Sequence, residues 1–409
     1  MFRKTRVAAL AAATATALLL SACGGDNGDD TAADGGTGGG TASGEPIPVG
    51  VIADLTGATG DVGEPYNAGM LAYVDYVNGK GGIEGRELQA ISNDYAYEVP
   101  RAEELYNQYV NDGVVAIQGW GTGDTEALSG SVANDELPFM SASYAEPLTD
   151  PEEAPFNFVV APTYSDQMRV ALNWINEDSG GNGEVAVLHH DSPFGMAPVA
   201  DGEAWVTEKG YDLGYQAYAM PGGQPNYVGL LSQAQSQGAK YVIIQNVAGP
   251  ASQVAKDIAA QGLDMTIVCL NWCANELFVS LAGDDVAEGH VLIQPINPML
   301  TEQPGHEAIR EYIEAEGIDE SEVGVSWVAG WATMDVMVQG IAKALEDGEE
   351  LTGPAIREAL ETMGPIDVGG LIGGEAVEFS ADSHRGSAST GIYRAEGGTM
   401  VEIEGGVTP

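Results

Sequence analysis

The chain has 409 residues, with 61 Asp and Glu against 15 Lys and Arg, so its formal net charge is −46 at pH 7. Such an acidic surface repels phosphate backbones and anionic lipid, and we therefore expect neither nucleic-acid binding nor a polybasic membrane patch. Repulsion among so many carboxylates is screened when the Debye length falls to about 3 Å near 1 M salt. The charge therefore predicts a protein adapted to a saline habitat.

The N-terminus has the pattern of a secretory signal peptide. Three bases (Arg3, Lys4 and Arg6) precede an apolar run over residues 7–20, and small residues lead to Cys23. The sequence Leu-Ser-Ala-Cys over residues 20–23 resembles a bacterial lipobox, in which cleavage precedes the cysteine and acyl chains are added to it. Several chains on one residue anchor a protein stably, whereas one does not. We predict a signal peptide over residues 1–22 and lipidation at Cys23; the alternative is ordinary secretion with an incidental cysteine.

A Gly-rich, acidic segment over residues 23–46 follows the predicted cleavage site. Between residues 24 and 45 it contains no Leu, Ile, Val, Phe, Tyr or Trp. It cannot bury apolar surface, so we predict a disordered linker that spaces a folded body from the lipid. That body, from about Pro46 onward, has the length of two ordinary domains. We expect no membrane-spanning segment in it, because no later run is apolar for long enough.

Short apolar, β-branched runs alternate along the body with longer stretches of helical periodicity. This alternation predicts parallel sheets covered by helices on both faces, and the number of strands suggests two α/β lobes. The predicted strands are 47–55, 88–94, 114–118, 138–140, 156–160, 185–189, 241–245, 265–270 and 291–295. The predicted helices are 64–78, 101–110, 125–133, 166–176, 198–209, 225–237 and 250–261.

Ligands on such sheets bind beyond the carboxyl ends of the strands, which selects four loops: 54–63, 119–125, 141–149 and 191–196. Loop 119–125 (Gly-Trp-Gly-Thr-Gly-Asp-Thr) allows close approach of backbone N–H groups, and a following helix start would attract a carboxylate. Asp124 is interpreted as the N-cap of that helix or as a direct ligand contact. Trp120 either stacks on a ligand or is simply buried. The loop lacks the third glycine of a dinucleotide fingerprint.

The turn over residues 141–147 combines hydroxyls with small residues, which suits the polar head of a small solute or an ordinary surface turn. Signatures of catalysis are absent from the sequence, which has neither a Gly-x-Ser-x-Gly elbow nor a His-Glu-x-x-His zinc helix. His189 and His190 are adjacent in a predicted strand and would point to opposite faces. We therefore predict a binding protein with no catalytic residue, metal or cofactor. Cys269 and Cys273, four residues apart, form either a tight disulfide or two free thiols.

Several motifs resemble the solute-binding proteins of branched-chain amino acid ABC transporters, the leucine/isoleucine/valine-binding family. The run Asn-Gly-Lys-Gly-Gly-Ile-Glu-Gly-Arg over residues 78–86 is the most specific of them. Further similarity lies in residues 48–57, 111–113, 191–195 and 281–289, and in the helix from Val325 onward. The resemblance extends from about residue 47 to the end, and a lipobox fits a lipid-anchored member.

The resemblance implies a type I periplasmic binding fold, in which two Rossmann-like lobes joined by three crossovers close on a ligand. By analogy the crossovers lie near residues 162–163, 294–295 and 364–365. Lobe 1 then comprises residues 47–163 and 295–364, and lobe 2 comprises residues 164–294 and 365–409.

In that family, loops matching residues 121–125 and 143–145 hold the α-carboxylate and amino group, and an aromatic matching Phe194 flanks the side chain. The acidic residue offered to the ammonium group has no match in the loop over residues 270–275, and Asp124 is the candidate replacement. Otherwise the ligand is not a leucine-like zwitterion; relatives bind amides, urea and aromatic acids. The predicted ligand-binding residues are Trp120, Gly121, Thr122, Gly123, Asp124, Thr125, Ser143, Tyr144, Ala145, Phe194, Asn246, Asn271 and Trp272.

The resulting hypothesis is an extracytoplasmic, lipid-anchored protein that captures an amino acid or related small polar solute and delivers it to an ABC permease. A sensor of amides, urea or aromatic acids is the alternative within binding functions. An exported hydrolase that uses acidic residues is the alternative from another class.

Overall fold

Two sheets organise the chain in a computed structural model that describes residues 44–374 and 376–409. The predicted signal peptide, Cys23 and nearly all of the predicted linker lie outside the described residues. All described residues belong to one compact unit.

The first sheet has five parallel strands in the order β2-β1-β3-β4-β5. Nearly every side chain of β1 is buried, as expected of a parallel strand covered on both faces. The strands are β1 (Ile47–Ala53), β2 (Leu88–Asp94), β3 (Ala116–Gly119), β4 (Phe139–Ser141) and β5 (Asn157–Phe158). The helices that follow the first three strands are α1 (Gly60–Gly79), α2 (Val99–Asp112) and α3 (Thr122–Asp135).

The second sheet has seven strands in the order β12-β11-β10-β9-β8-β6-β7. Its first five members in the chain are parallel, whereas β11 and β12 join by antiparallel pairing. The strands are β6 (Asn182–His190), β7 (Asp212–Met220), β8 (Tyr241–Gln245), β9 (Thr266–Cys269), β10 (Val291–Gln294), β11 (Thr390–Glu396) and β12 (Thr399–Val407). The helices are α4 (Tyr164–Asp178), α5 (Pro193–Met196), α6 (Val199–Lys209), α7 (Val228–Ser236), α8 (Ala248–Gln261), α9 (Glu276–Ala282) and α10 (Asp284–Ala287).

Three further helices follow β10: α11 (Gly305–Glu316), α12 (Val325–Glu346) and α13 (Gly353–Thr362). The longest of them, α12, packs closely on α1. Glycines permit this approach, because a Cβ on Gly69 would collide with the Trp327 carbonyl and one on Gly330 with the Tyr66 carbonyl. The chain thus returns from the second sheet to the first before β11 and β12 complete the second sheet.

The predicted α/β architecture with two parallel-dominated sheets is confirmed, but three strands of the second sheet, β7, β11 and β12, were not predicted. β7 is half-buried at one edge of the second sheet, and β12 is exposed along most of its length at the other. Such edge strands lack the continuous apolar runs that identified the central ones.

The lobe boundaries remain a prediction, and one segment near the third crossover pairs with the first sheet. The Val159 amide donates to the His384 carbonyl at 2.9 Å, and the Gly386 amide donates to the Val159 carbonyl at 2.7 Å. The buried His384 ring stacks on Phe158 of β5, with ring centroids 4.1 Å apart. This part of the predicted second lobe therefore lies against β5.

Candidate functional site

A small cavity lies where the carboxyl ends of the two sheets meet. Loops after β1, β2, β3 and β4 form one side, and the start of α4 and the loops after β6, β8 and β9 form the other. This is the position at which open α/β sheets bind ligands. The lining residues are Thr59, Tyr97, Trp120, Gly121, Thr122, Ala142, Tyr164, Phe194, Val247 and Trp272.

Aromatic rings form half of this lining, and the two indoles are held by hydrogen-bond relays. Trp120 Nε1 donates to Thr59 Oγ1 at 2.7 Å, and that hydroxyl donates to Asp54 Oδ2 at 2.7 Å. Trp272 Nε1 donates to Tyr164 Oη at 2.9 Å, and that hydroxyl donates to the Ala142 carbonyl at 3.1 Å. Each indole is therefore fixed in orientation.

Trp272, on the second sheet's side of the site, packs against a cluster of aromatic rings from the first sheet's side. Its ring centroid lies 5.1 Å from that of Trp120, 5.8 Å from that of Tyr66, and 5.7 Å from that of Tyr144, on which it stacks. The Tyr144 hydroxyl is buried without a hydrogen-bond partner among the described residues, and burial raises the pKa of Tyr144.

The loop after β3 ends at the N-terminus of α3, where Gly121 is the N-cap. A Cβ at Gly121 would collide with the Asp124 carboxylate and the Tyr95 hydroxyl, so only glycine fits without rearrangement. Thr125 Oγ1 donates to the Gly121 carbonyl at 2.6 Å. The first helical N–H groups, beginning with that of Thr122, have no acceptor within the helix. Gly121 and Thr122 line the cavity, whereas Gly123 and Thr125 do not.

Asp124 does not line the cavity and lies behind Gly121 and Thr122. The prediction that it is the N-cap of the helix is wrong. The helix begins two residues earlier, so Asp124 is its third residue and accepts the Gly121 N–H at 3.2 Å through Oδ2. Its Oδ1 accepts the Tyr95 hydroxyl at 2.7 Å. Burial, the dominant cause, raises the pKa of Asp124 to about 7.

The predicted turn after β4 contributes through a neighbour of the residues singled out. Ser143 Oγ lies 2.7 Å from Thr122 Oγ1, so the two hydroxyls share a hydrogen bond. Ser143, Tyr144 and Ala145 are buried but do not line the cavity, whereas Ala142 does.

From the second sheet, Phe194 and Trp272 reach the cavity and the two predicted asparagines do not. Asn246 Oδ1 accepts the Val247 N–H at 2.8 Å. The Asn271 backbone N–H donates to Gln167 Oε1 at 3.0 Å, while its side-chain Oδ1 is buried without a partner among the described residues. The Asn246 side chain therefore supports the loop that carries Val247, and the Asn271 backbone ties the loop that carries Trp272 to α4.

Five cavity residues were not predicted: Thr59, Tyr97, Ala142, Tyr164 and Val247. Thr59 and Ala142 lie in loops already selected by the strand-end argument. Tyr97 and Val247 follow β2 and β8, so the same argument applied to every strand would have found them. Tyr164 is the first residue of α4 and carries no such signal.

The two body cysteines are buried free thiols, so the disulfide alternative does not hold in the structure. Cys269 ends β9, and Cys273 Sγ donates instead to the Ile244 carbonyl of β8 at 3.3 Å. Burial raises the pKa of Cys269 well above its ordinary value.

Over residues 44–374 and 376–409, no group of three or more His, Cys, Asp or Glu side chains could hold a metal ion. In the same part of the chain, no helix combines the length and apolar character needed to cross a bilayer.

Comparison with known proteins places the chain among transport-related binding proteins. The sequence profile described as "Periplasmic binding protein" matches residues 46–399. The leucine-, isoleucine-, valine-, threonine- and alanine-binding protein of Pseudomonas aeruginosa is 23% identical over 315 residues, which cover 76% of this chain and 82% of that protein. The Leu/Ile/Val-binding protein of Escherichia coli K12 is 24% identical over 334 residues, covering 80% and 87%.

Solved structures agree in fold. A branched-chain amino acid ABC transporter protein of Thermus thermophilus, solved with bound valine, superposes with a TM-score of 0.84 at 25% identity, covering 89% of this chain and 97% of that one. The architecture is thus the type I periplasmic binding fold. The chain belongs to the periplasmic binding protein family, and its similarity within that family is to the branched-chain amino acid binding proteins of ABC transporters.

Proposed function

We propose that this protein captures a small carboxylate-bearing solute of the amino acid type outside the cytoplasm and delivers it, chemically unchanged, to an ABC permease. In this proposal a lipid anchor at Cys23 keeps the protein at the membrane. The observation that carries the proposal is the cavity enclosed by the strand ends of both sheets, with Trp120 from one side and Trp272 from the other. Capture between two lobes requires a site built from both.

The start of α3 is the proposed seat of the solute's carboxylate. Gly121 and Thr122 line the cavity, and the first N–H groups of the helix have no acceptor within it. The partial positive charge of a helix N-terminus favours an anion there. The relatives named for binding leucine, isoleucine and valine support a ligand of this class.

A thermal-shift screen followed by recovery of the ligand tests the proposal. Amino acids (N-methylated ones included), short amides, urea and aromatic acids are each added in high salt, and a solute at 100 times its Kd should stabilise the protein by about 2.7 kcal/mol. Chromatography after prolonged incubation should return that solute intact.

A substitution in the cavity and a matched remote one serve as controls. Trp272→Ala should abolish the shift, whereas Trp205→Ala, at a half-buried tryptophan of α6 outside the cavity, should preserve it. A screen without any shift, or a solute that is converted during incubation, contradicts the proposed function.

A further inference from the structure

The cavity combines many aromatic rings with an uncharged lining, and this points to one class of solute. Resting on the proposed capture function, we propose that the cavity selects a betaine-type zwitterion, whose N-methylated ammonium group is held by ring faces in place of a carboxylate. Tyr97, Trp120, Tyr164, Phe194 and Trp272 supply the rings. Aromatic faces attract cations, tryptophan most strongly, and cages of such rings hold quaternary ammonium groups.

The carboxylates nearest the cavity are already engaged. Asp124 accepts hydrogen bonds from Tyr95 Oη and the Gly121 N–H, and lies behind the lining. Asp54 is fully buried and accepts from the Gly57 N–H at 2.6 Å and from both the N–H and the hydroxyl of Thr59. Among the ten lining residues, no side chain is charged.

Two of the four hydroxyls in the lining, those of Thr59 and Tyr164, are already committed, which disfavours a primary ammonium group beside them. Thr59 Oγ1 accepts from one indole and donates to Asp54, and Tyr164 Oη accepts from the other indole and donates to the Ala142 carbonyl. An –NH₃⁺ group brings three donors that need acceptors, and burying them unpaired is costly. A trimethylammonium group has no N–H donor and avoids that cost.

The same relays strengthen the attraction between the rings and a cation. Each indole N–H donates to a hydroxyl that itself donates onward, to the Asp54 carboxylate or to the Ala142 carbonyl. Chains of hydrogen bonds polarise one another, and donation from an indole N–H leaves its ring more electron-rich. Asp54, which does not line the cavity, adds negative potential without touching the solute.

Titration calorimetry on the wild-type protein with four probes tests the inference. Trimethylglycine should bind about tenfold or more tightly than glycine, valine or 3,3-dimethylbutanoate. The last probe replaces the cationic nitrogen by carbon and keeps the shape and the carboxylate. Equal or tighter binding of glycine or valine, equal binding of 3,3-dimethylbutanoate, or no binding of trimethylglycine overturns the inference.

Two variants test whether the indole rings of the cavity bind the ammonium group. Trp120→Phe and Trp272→Phe should each weaken trimethylglycine binding about threefold or more, since phenylalanine attracts cations less strongly. Trp205→Phe is the matched control and should leave it unchanged. Equal affinity in all three variants overturns the inference, and circular dichroism checks that each is folded. Binding of valine without trimethylglycine would overturn the inference and leave the proposed capture function standing; failure of the whole solute screen would overturn both.

Discussion

Asp124 is enclosed by the first turn of α3 and by the loop after β2. Its two oxygens accept hydrogen bonds from the Tyr95 hydroxyl and the Gly121 N–H, so the carboxylate organises the wall of the cavity without reaching into it. Burial disfavours its charged form, which places its pKa at about 7 instead of the ordinary 3.8. The free energy of unfolding should therefore depend on pH through Asp124.

We predict that Asp124 makes the protein less stable as the pH rises from about 4 to 7. In this window the folded state retains a proton that the unfolded state has released, so the free energy of unfolding falls with rising pH. The contribution is at most about 1.4 kcal/mol per pH unit. Asp124→Asn removes the titration, and urea unfolding of both proteins at several pH values measures the difference. A difference that is constant across the window would contradict this.

At the scale of elements, the crossing of α1 and α12 places the aromatic cluster. Gly69 and Gly330 let the helix backbones approach to the point where any side chain would collide with a carbonyl of the other helix. Tyr66, at the same crossing, touches the rings of Trp120 and Trp272. The helix contact therefore positions Tyr66 against the two indoles of the cavity.

Gly330→Ala should lower the free energy of unfolding by about 1–3 kcal/mol, because the added methyl group overpacks the crossing. Gly130→Ala is the matched control within α3, since nothing lies within 4 Å of the added Cβ. It should raise stability by about 0.5–1 kcal/mol through the better helix propensity of alanine. Urea unfolding compares them, and equal effects would show that the crossing tolerates a side chain.

Two carboxylates, one on each side of the site, accept hydrogen bonds from the start of a helix on the other side. Asp61 of α1 accepts the Gly249 N–H at the start of α8 at 2.9 Å. Glu276 of α9 accepts the Val325 N–H at the start of α12 at 3.1 Å. Burial raises the pKa of both carboxyls. Negative groups at helix N-termini are stabilising, so each contact favours the arrangement in which the sheets enclose the cavity.

Asp61→Asn and Glu276→Gln should each weaken solute binding about twofold to fivefold, because the closed arrangement loses a helix-terminal charge interaction. The affinity is measured by calorimetry with the solute that gives the largest thermal shift. Glu307→Gln, in the first turn of α11, is the control and should bind normally. The prediction is wrong if all three variants bind alike.

At the scale of the whole molecule, the acidic excess dominates. Removal of the predicted signal peptide would take away three of the 15 bases and leave 12 against 61 acids. Within the described residues, several ion pairs join partners that are both largely exposed, such as Lys80 with Glu311 and Lys240 with Asp264. Exposed pairs of this kind contribute little, and the net repulsion remains.

We predict that the melting temperature rises steadily as NaCl is increased from about 0.1 to 1 M, where the Debye length falls from about 10 to 3 Å. A melting series measures this, and an equal series in sucrose separates screening from general exclusion effects. A melting temperature that does not change with salt would contradict adaptation to a saline habitat.

Sequence reasoning reached the central strands and the loops at their ends. β1, β8 and β10 are short apolar runs that are buried on both faces, so their patterns are unambiguous. The strand-end argument placed Trp120, Gly121 and Thr122 at the cavity, and the resemblance added Phe194 from the second sheet. Sequence reasoning could not distinguish these cavity residues from Thr125 or Asn246, because neighbours in a loop differ only in the direction of their side chains.

The sequence by itself determined the alternation of strands and helices, the loops that end at the site, and the acidic surface, because each depends on residue types and local spacing. Only the tertiary structure decided that Asp124 turns into the wall and that Trp272 meets Trp120 across the cavity. Those outcomes depend on how two distant parts of the chain pack together, and local sequence carries no information on the distance between them.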